Sequence, residues 1–353
     1  MTNTVGTASQ DPPGARPPGR VTMQQVAHEA GVSVSTVSKV INGRYGISDI
    51  TSAHVNDVIT RLGYETSLVA RSLRNQRTNV IGVLVADFEP FSTEVLKGAA
   101  DAIRDTDFEL VAYSAGGRIG EHVGWERRYL SRLMGTLVDG AVLVTPTVTD
   151  VETHGAVVAI DPHTGSTTMP TVTAHNLQGA RAGVQHLLDL GHTRIGMVTG
   201  RADLVSAQLR ERGFRAALEA AGVPVDESLV VRGEFEADVA RASARQLLDR
   251  PDRPTAVFAA SDLMALAVGE VAAELGLAVP EDLSLVGFDN IPESAMSDPP
   301  LTTVQQPIRE MGRHAVAILI ELIEGRQPED LHHTLGTDLV LRRSTTSPGS
   351  PTP

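Results

Sequence analysis

Two groups of residues in this chain have types and spacing that could do chemistry. The first lies in GVSVSTVSKVING, residues 31 to 43, where Ser33, Ser35, Thr36, Ser38 and Lys39 are interleaved with five β-branched aliphatics. Val37, Val40 and Ile41 fall at i, i+3 and i+4, one stripe of a helix, and the hydroxyls and the lysine fall off that stripe. Ser and Thr hydroxyls can bond phosphate oxygens or base edges, and their small size lets a helix approach a polyanion closely. The second group is Asp87, Asp161, Ser261 with Asp262, and Asp289, which close the apolar runs VIGVLVAD, VVAID, AVFAASD and LSLVGFD. Ligands of open α/β sheets bind beyond the carboxyl ends of the strands, so these residues could line a cleft. Each could equally be a helix N-cap or a turn residue, and it is their recurrence that favours the cleft.

The elements that must position the first group are short helices. Thr22 with Gln25 makes a capping box, and Val26, Ala27 and Ala30 supply a buried stripe before Gly31 ends the first helix. Ser33 is placed to cap a second helix that stops at Asn42-Gly43. A third runs from about Thr51 to Leu62 with Val55, Val58, Ile59 and Leu62 inward, closed by Gly63. Three such helices, the first two joined by a tight glycine turn, make a helix-turn-helix unit. From residue 79 onward, apolar runs alternate with helical patterns, which predicts parallel α/β sheets covered by helices on both faces. The expected fold is therefore an all-α helix-turn-helix domain followed by an α/β core.

Composition narrows the function. The 353 residues include no cysteine, which excludes disulfides, thiolate metal sites and cysteine nucleophiles. Net charge is −13, yet residues 16 to 77 hold eight Arg and Lys against four Asp and Glu, leaving −16 beyond Arg77. A basic module on an acidic body points to an anionic partner for the module alone. Residues 1 to 20 have no apolar run that could serve as a signal peptide or membrane span, so a cytoplasmic location is expected, with a disordered leader. No GxxxxGK[ST], GxSxG or HExxH motif occurs, GGRIG at 116 to 120 lacks dinucleotide spacing, and His332-His333 stands without further ligands. Neither an enzyme activity, a cofactor nor a metal is expected.

The segment VTMQQVAHEAGVSVSTVSKVINGRYGISDITSAHVNDVITRLGYE, then ARSLRNQRTNVIGVLV, resembles the LacI/GalR family of bacterial transcription regulators. The likeness continues through GHTRIGMVTG, RERGFRAALEAAG, AVFAASDLMALAV, LSLVGFDNIP and LTTVQQPIREMG, covering roughly residues 21 to 343. It implies a helix-turn-helix domain at 21–65, a hinge helix at 66–77, and a periplasmic-binding-protein-like core at 78–343 with a tail at 344–353. The core's two parallel-sheet subdomains are expected at 79–174 plus 304–332 and at 175–303 plus 333–343.

By position, the family's base-reading residues fall on Val34, Ser35 and Lys39, with phosphate contacts from Thr22, Ser33, Thr36, Ser38 and Asn42. The hinge would place Val69, Ala70 and Leu73 in the minor groove and offer Arg71, Arg74 and Arg77 to phosphates. Thr66-Ser67 stands where many relatives have Pro-Asn, which implies a hinge more dependent on DNA for its order. The resemblance places the effector among Asp161, Arg210, Phe91, Phe235, Ser261 and Asp289, with Asp87, Ser92 and Asp262 at its margin. Carboxylates, one guanidinium and two aromatic faces suit a sugar. The implied function is a homodimeric repressor of carbohydrate genes, released from a palindromic double-stranded operator by a sugar-type inducer, with no membrane partner. A sugar-binding protein, or a corepressor-dependent regulator of non-sugar metabolism, stands as the alternative.

Overall fold

The structure, a computed structural model, describes residues 21–41, 45–64, 77–116, 124–148, 155–163 and 168–349. The chain forms two compact units divided near residue 71.

In the first unit, helix α1 (Met23–Glu29) opens on the expected capping box: the Thr22 hydroxyl accepts from Gln25 N at 3.3 Å, and Gln25 Oε1 accepts from Thr22 N at 2.8 Å. Helix α2 (Val34–Ile41) is capped by Ser33, whose Oγ accepts from Thr36 N at 3.1 Å. Helix α3 (Asp49–Leu62) begins two residues before the expected start, because Ser48 Oγ caps it, and it ends at Gly63, where φ is +62°. Val26, Val37, Val55 and Val58 are fully buried at the centre, with Val40, Ile41, Ile59 and Leu62 packed around them. A valine costs a helix at most about 0.7 kcal/mol relative to alanine, and burying it returns about 1.5 kcal/mol or more, so packing overrides propensity in α2.

The second unit contains two six-stranded sheets. The first has the order β11-β5-β4-β3-β1-β2, all parallel, from β1 (Val80–Val85), β2 (Glu109–Ser114), β3 (Gly140–Val144), β4 (Ala156–Ile160), β5 (Thr171–Ala174) and β11 (His332–Leu335). The second has the order β12-β10-β9-β8-β6-β7, from β6 (Ile195–Thr199), β7 (Val230–Arg232), β8 (Ala256–Ala259), β9 (Ser284–Asp289), β10 (Thr302–Gln305) and β12 (Asp338–Val340), where β12 alone runs antiparallel to its neighbour. Helices α4 (Pro90–Ile103), α5 (Trp125–Leu133) and α11 (Ile308–Ile323) belong with the first sheet. Helices α6 (Asn176–Asp189), α7 (Val205–Ala220), α8 (Ala237–Leu248), α9 (Asp262–Glu274) and α10 (Pro292–Met296) belong with the second.

Three boundaries differ from those expected. Strand β10 reaches Gln305 within the second sheet, so the chain crosses at 306–307 and not at 303–304. Strand β11 lies in the first sheet, so residues 333–335 do not belong to the second subdomain and the last crossing falls at 336–337. Residues 344–346 are no tail: Ser344 is 1% exposed, its hydroxyl bridges Thr302 N and Leu285 O, and Thr346 O accepts from the Ser284 hydroxyl. Buried backbone groups at the starts of β9 and β10 need partners, and this segment supplies them. The expected leader at 1–20, Asn42, most of GGRIG and hinge residues 66–76 lie outside the described residues. Arg77, expected on a phosphate, instead donates to Ile323 O at 2.9 Å.

Candidate functional site

The α2 surface carries the first group of polar residues. Val37 is buried, while Val34, Ser35 and Lys39 are exposed, Val34 to 43%. The Ser33 hydroxyl meets Ser35 Oγ at 2.7 Å and Thr36 Oγ1 at 2.9 Å, so three hydroxyls are held in one cluster at the helix start. The exposed Thr22 shares its hydroxyl with the α1 cap. Ser38 lies on α2 beside them.

The second group converges on a cleft of about 450 Å³ at the carboxyl ends of both sheets. Of the residues expected there, Asp87, Phe91, Ser92, Asp161, Arg210, Phe235, Ser261 and Asp289 line it. Asp262 does not: it is fully buried, accepts from Ile291 N at 2.9 Å and from the Thr303 hydroxyl, and pins the loop after β9. Its side chain is the structural partner that a buried loop amide requires. A wider groove of about 930 Å³ between α9, α10 and residues 277–281 has none of this convergence of buried charge.

Arg210 organises the cleft. It is 3% exposed, projects from α7, and donates through Nε to Asn176 Oδ1 at 2.9 Å and through Nη1 to Ala260 O at 2.5 Å and Asp289 Oδ1 at 3.2 Å. Its guanidinium lies 3.9 Å from the Phe288 ring centre and 5.6 Å from that of Phe235. The Phe235 ring in turn covers Gly200, where a Cβ would come within 2.1 Å of the ring. Asp289 also accepts from Gln306 Nε2 at 2.6 Å, in the segment that crosses between the subdomains.

Burial raises both central carboxyls. Asp161 is pushed up to about 6 by loss of water, held back by Arg210 and raised further by Asp289. Asp289 also rises to about 6, because desolvation outweighs Arg210 and Gln306. Glu89, the N-cap of α4, is raised by desolvation against its hydrogen bonds from Ser92 and Phe91. Ser92 thus serves the cap as well as the wall.

Five non-glycine residues of the lining have positive φ: Thr145 at 46°, Asp161 at 43°, Glu234 at 57°, Phe235 at 62° and Asp289 at 114°. Such conformations cost about 1–3 kcal/mol each and gather where a structure holds a site in place. Thr145, Arg201, Ser206 and Glu234 were not anticipated as lining residues. Thr145 directly follows the run AVLV, so the strand-end rule that found Asp161 pointed at its loop too, whereas Ser206 sits in the first turn of α7.

Residues 22–67 match the bacterial regulatory proteins of the lacI family, and residues 184–345 match the periplasmic binding protein-like domain. The ribose operon repressor of Escherichia coli K12 is 36% identical over 317 residues, covering 86% of this chain and 93% of that protein. The chain belongs to the lacI family. Among solved structures, a complex of the transcriptional regulator CelR with cellobiose is similar at 34% identity and a TM-score of 0.68, covering 92% of this chain and all of that one. The lac repressor dimer bound to operator and an anti-inducer is similar at 27% identity and a TM-score of 0.79, covering 93% of this chain and all of that one. This lacI-family protein is a DNA-binding transcriptional regulator, and one matched region lies within each of the two units of the fold. No described helix is long and apolar enough to cross a membrane.

Proposed function

We propose that this protein is a homodimeric repressor, acting in the cytoplasm on carbohydrate uptake or catabolism genes, and that a sugar in the cleft releases it from a palindromic operator. Helix α2 enters the major groove, where Val34, Ser35 and Lys39 face base edges and Thr22, Ser33, Thr36, Ser38 and Asn42 face phosphates. The clustered hydroxyls of Ser33, Ser35 and Thr36 support this, because they are already ordered for a close approach. Val69, Ala70 and Leu73 of the hinge enter the minor groove.

The observation that carries the sugar reading is the cleft itself: two buried carboxyls and a guanidinium between two subdomains, flanked by Phe91 and Phe235. Carboxylates take hydrogen bonds from vicinal hydroxyls, and a ring lies against the apolar face of a sugar. The CelR complex holds cellobiose, and the ribose operon repressor is named for ribose. The mechanism is a coupling between two sites, commonly worth about 1–3 kcal/mol, so inducer and operator each weaken the other by the same factor.

The test is fluorescence anisotropy of the full chain on palindromic duplexes taken from upstream of its own gene and its neighbours, repeated with a panel of sugars. A sugar that raises the melting point and weakens operator binding is expected. If no palindromic duplex binds without sugar, the repressor reading fails; if a sugar strengthens operator binding, the sign is reversed.

A further inference from the structure

We propose that the effector is read in its unphosphorylated form: the cleft accepts a donor-rich, non-anionic ligand and rejects the same scaffold carrying phosphate or carboxylate. This rests on the reading of the cleft as the effector site. Its described lining includes seven Asp and Glu against two Arg. Both arginines are engaged. Arg210 gives Nε and Nη1 to Asn176, Ala260 and Asp289, and Arg201 forks onto Asp203 through Nε at 3.1 Å and Nη2 at 2.7 Å. The Arg201 fork, closed on a carboxylate, is not available to grip a phosphate bidentately, and Arg210 has two of its three guanidinium nitrogens already committed to protein acceptors.

The acceptors are in the opposite condition. Asp161 is 4% exposed and lines the cavity; among the described residues Arg210 and Asp289 are the charges that act on it, and none donates a hydrogen bond to its carboxylate. A buried carboxylate without a donor is costly, so the group that completes the site must bring O–H or N–H hydrogens. A sugar hydroxyl or an ammonium does so. A phosphate dianion brings no donor and adds charge of the sign the wall already carries, in surroundings where water screens poorly. Glu236 and Asp238, exposed on the lining, extend the same sign outward. The regulator would therefore respond to a metabolite that a phosphoryl-transfer reaction consumes, and not to the product of that reaction.

The experiment uses the full chain and matched pairs: ribose with ribose 5-phosphate, glucose with glucose 6-phosphate, cellobiose with its 6-phosphate, and adenosine with AMP. Binding is read by calorimetry at pH 7.5 in low salt and at 200 mM salt. Within any pair that binds, the phosphorylated member should be at least about 100-fold weaker, with the gap narrowing several-fold at high salt. E236Q combined with D238N should narrow it as well, which a steric rejection would not do. Binding of adenosine but no sugar, with AMP rejected, would keep the charge inference and overturn the sugar reading. A phosphorylated member that binds as tightly as its parent, a gap indifferent to salt and to E236Q/D238N, or binding by no unphosphorylated member at all would overturn the inference.

Discussion

Replacing Asp161 by Asn should stabilise the unliganded protein and disable its response. The native carboxyl has a pKa of about 6 against 3.8 for the unperturbed group, so the native state holds its proton more tightly than the unfolded chain does. A raised native pKa contributes stability that is fully present below the unfolded pKa and lost as pH rises through the native one. At pH 8 the wild-type protein therefore bears an ionised buried carboxylate. Two pH units correspond to about 3 kcal/mol, and the neutral amide removes that cost. The same linkage leaves about half the gain at pH 5 and little at pH 4. Backbone strain does not change, because Asn tolerates the φ of 43° at this position as well as Asp does. For a chain of this size the gain at pH 8 is a rise of roughly 4–5 °C in Tm, readable by thermal unfolding at pH 8, 5 and 4. The variant should also lose about 10- to 100-fold in affinity for a donor-rich effector, the worth of a hydrogen bond to a charged group. A variant no more stable than wild type at pH 8, or equally stabilised at all three pH values, would refute the burial of this charge as its cause.

Lys39→Ala should relax sequence preference at one base pair of each half-site, at about 1–3 kcal/mol, while Thr36→Ala should weaken all duplexes alike; anisotropy on an operator permuted one base pair at a time separates the two. Gly312→Ala should destabilise the core by about 2 kcal/mol or more in urea unfolding, because a Cβ there would stand 2.3 Å from Val95 O of the neighbouring helix. Asp139 accepts from Thr78 N at 2.6 Å, Thr78 Oγ1 at 2.8 Å and Asn79 N at 2.7 Å, so Asp139→Ala should expose the amides of 78–79 to rapid hydrogen exchange. Arg77→Ala should leave effector affinity of the free protein nearly unchanged and alter the ratio of operator affinities with and without effector, as measured by anisotropy.

The strands that were legible in the sequence are those whose neighbours cover both faces. VIGVLV and LSLVGFD read as apolar runs because every residue of β1 and β9 is buried. TTVQ, HHTL and DLV did not stand out, because β10 is short and polar, and β11 and β12 are exposed edge strands whose hydrogen bonds owe nothing to side-chain pattern. In the cleft, Asp161 and Asp289 could be found from strand ends, but Arg210 lies mid-helix in RERGFRAALEAAG, where its charge looks like ordinary surface. Only resemblance placed it, and the structure supplies the reason it is buried: Asn176, Ala260 O and Phe288 are brought to it from three other elements. Asp262 misled because a strand-end Asp that lines a cleft and one that pins the next loop have the same local sequence. What separates them is Gly287, whose missing Cβ leaves room for the Asp262 carboxylate 2.2 Å from where that atom would be.

The same long-range contacts give the cleft a material connection to the segment that precedes the core. Gln306, which donates to Asp289, is followed by Pro307 and α11, a helix of 16 residues and therefore about 24 Å long. The far end of that helix presents Ile323 O to Arg77, the last residue of the expected hinge and the one of it that is described. Helix α11 does not move alone: Gly98 and Gly312 let its backbone meet that of α4 so closely that a Cβ at 98 would lie 1.9 Å from Arg309 O. Helix α4 in turn begins in the cleft with Glu89, Phe91 and Ser92. A ligand that competes for Asp289 or for the cap of α4 thus acts on one end of a paired rigid body whose other end holds residue 77. Packed interiors shift between discrete arrangements and do not bend continuously, so a sub-ångström change at the cleft has somewhere to go. Contiguity by itself is not coupling, which is why the decisive quantity in Arg77→Ala is the ratio of two affinities and not either one.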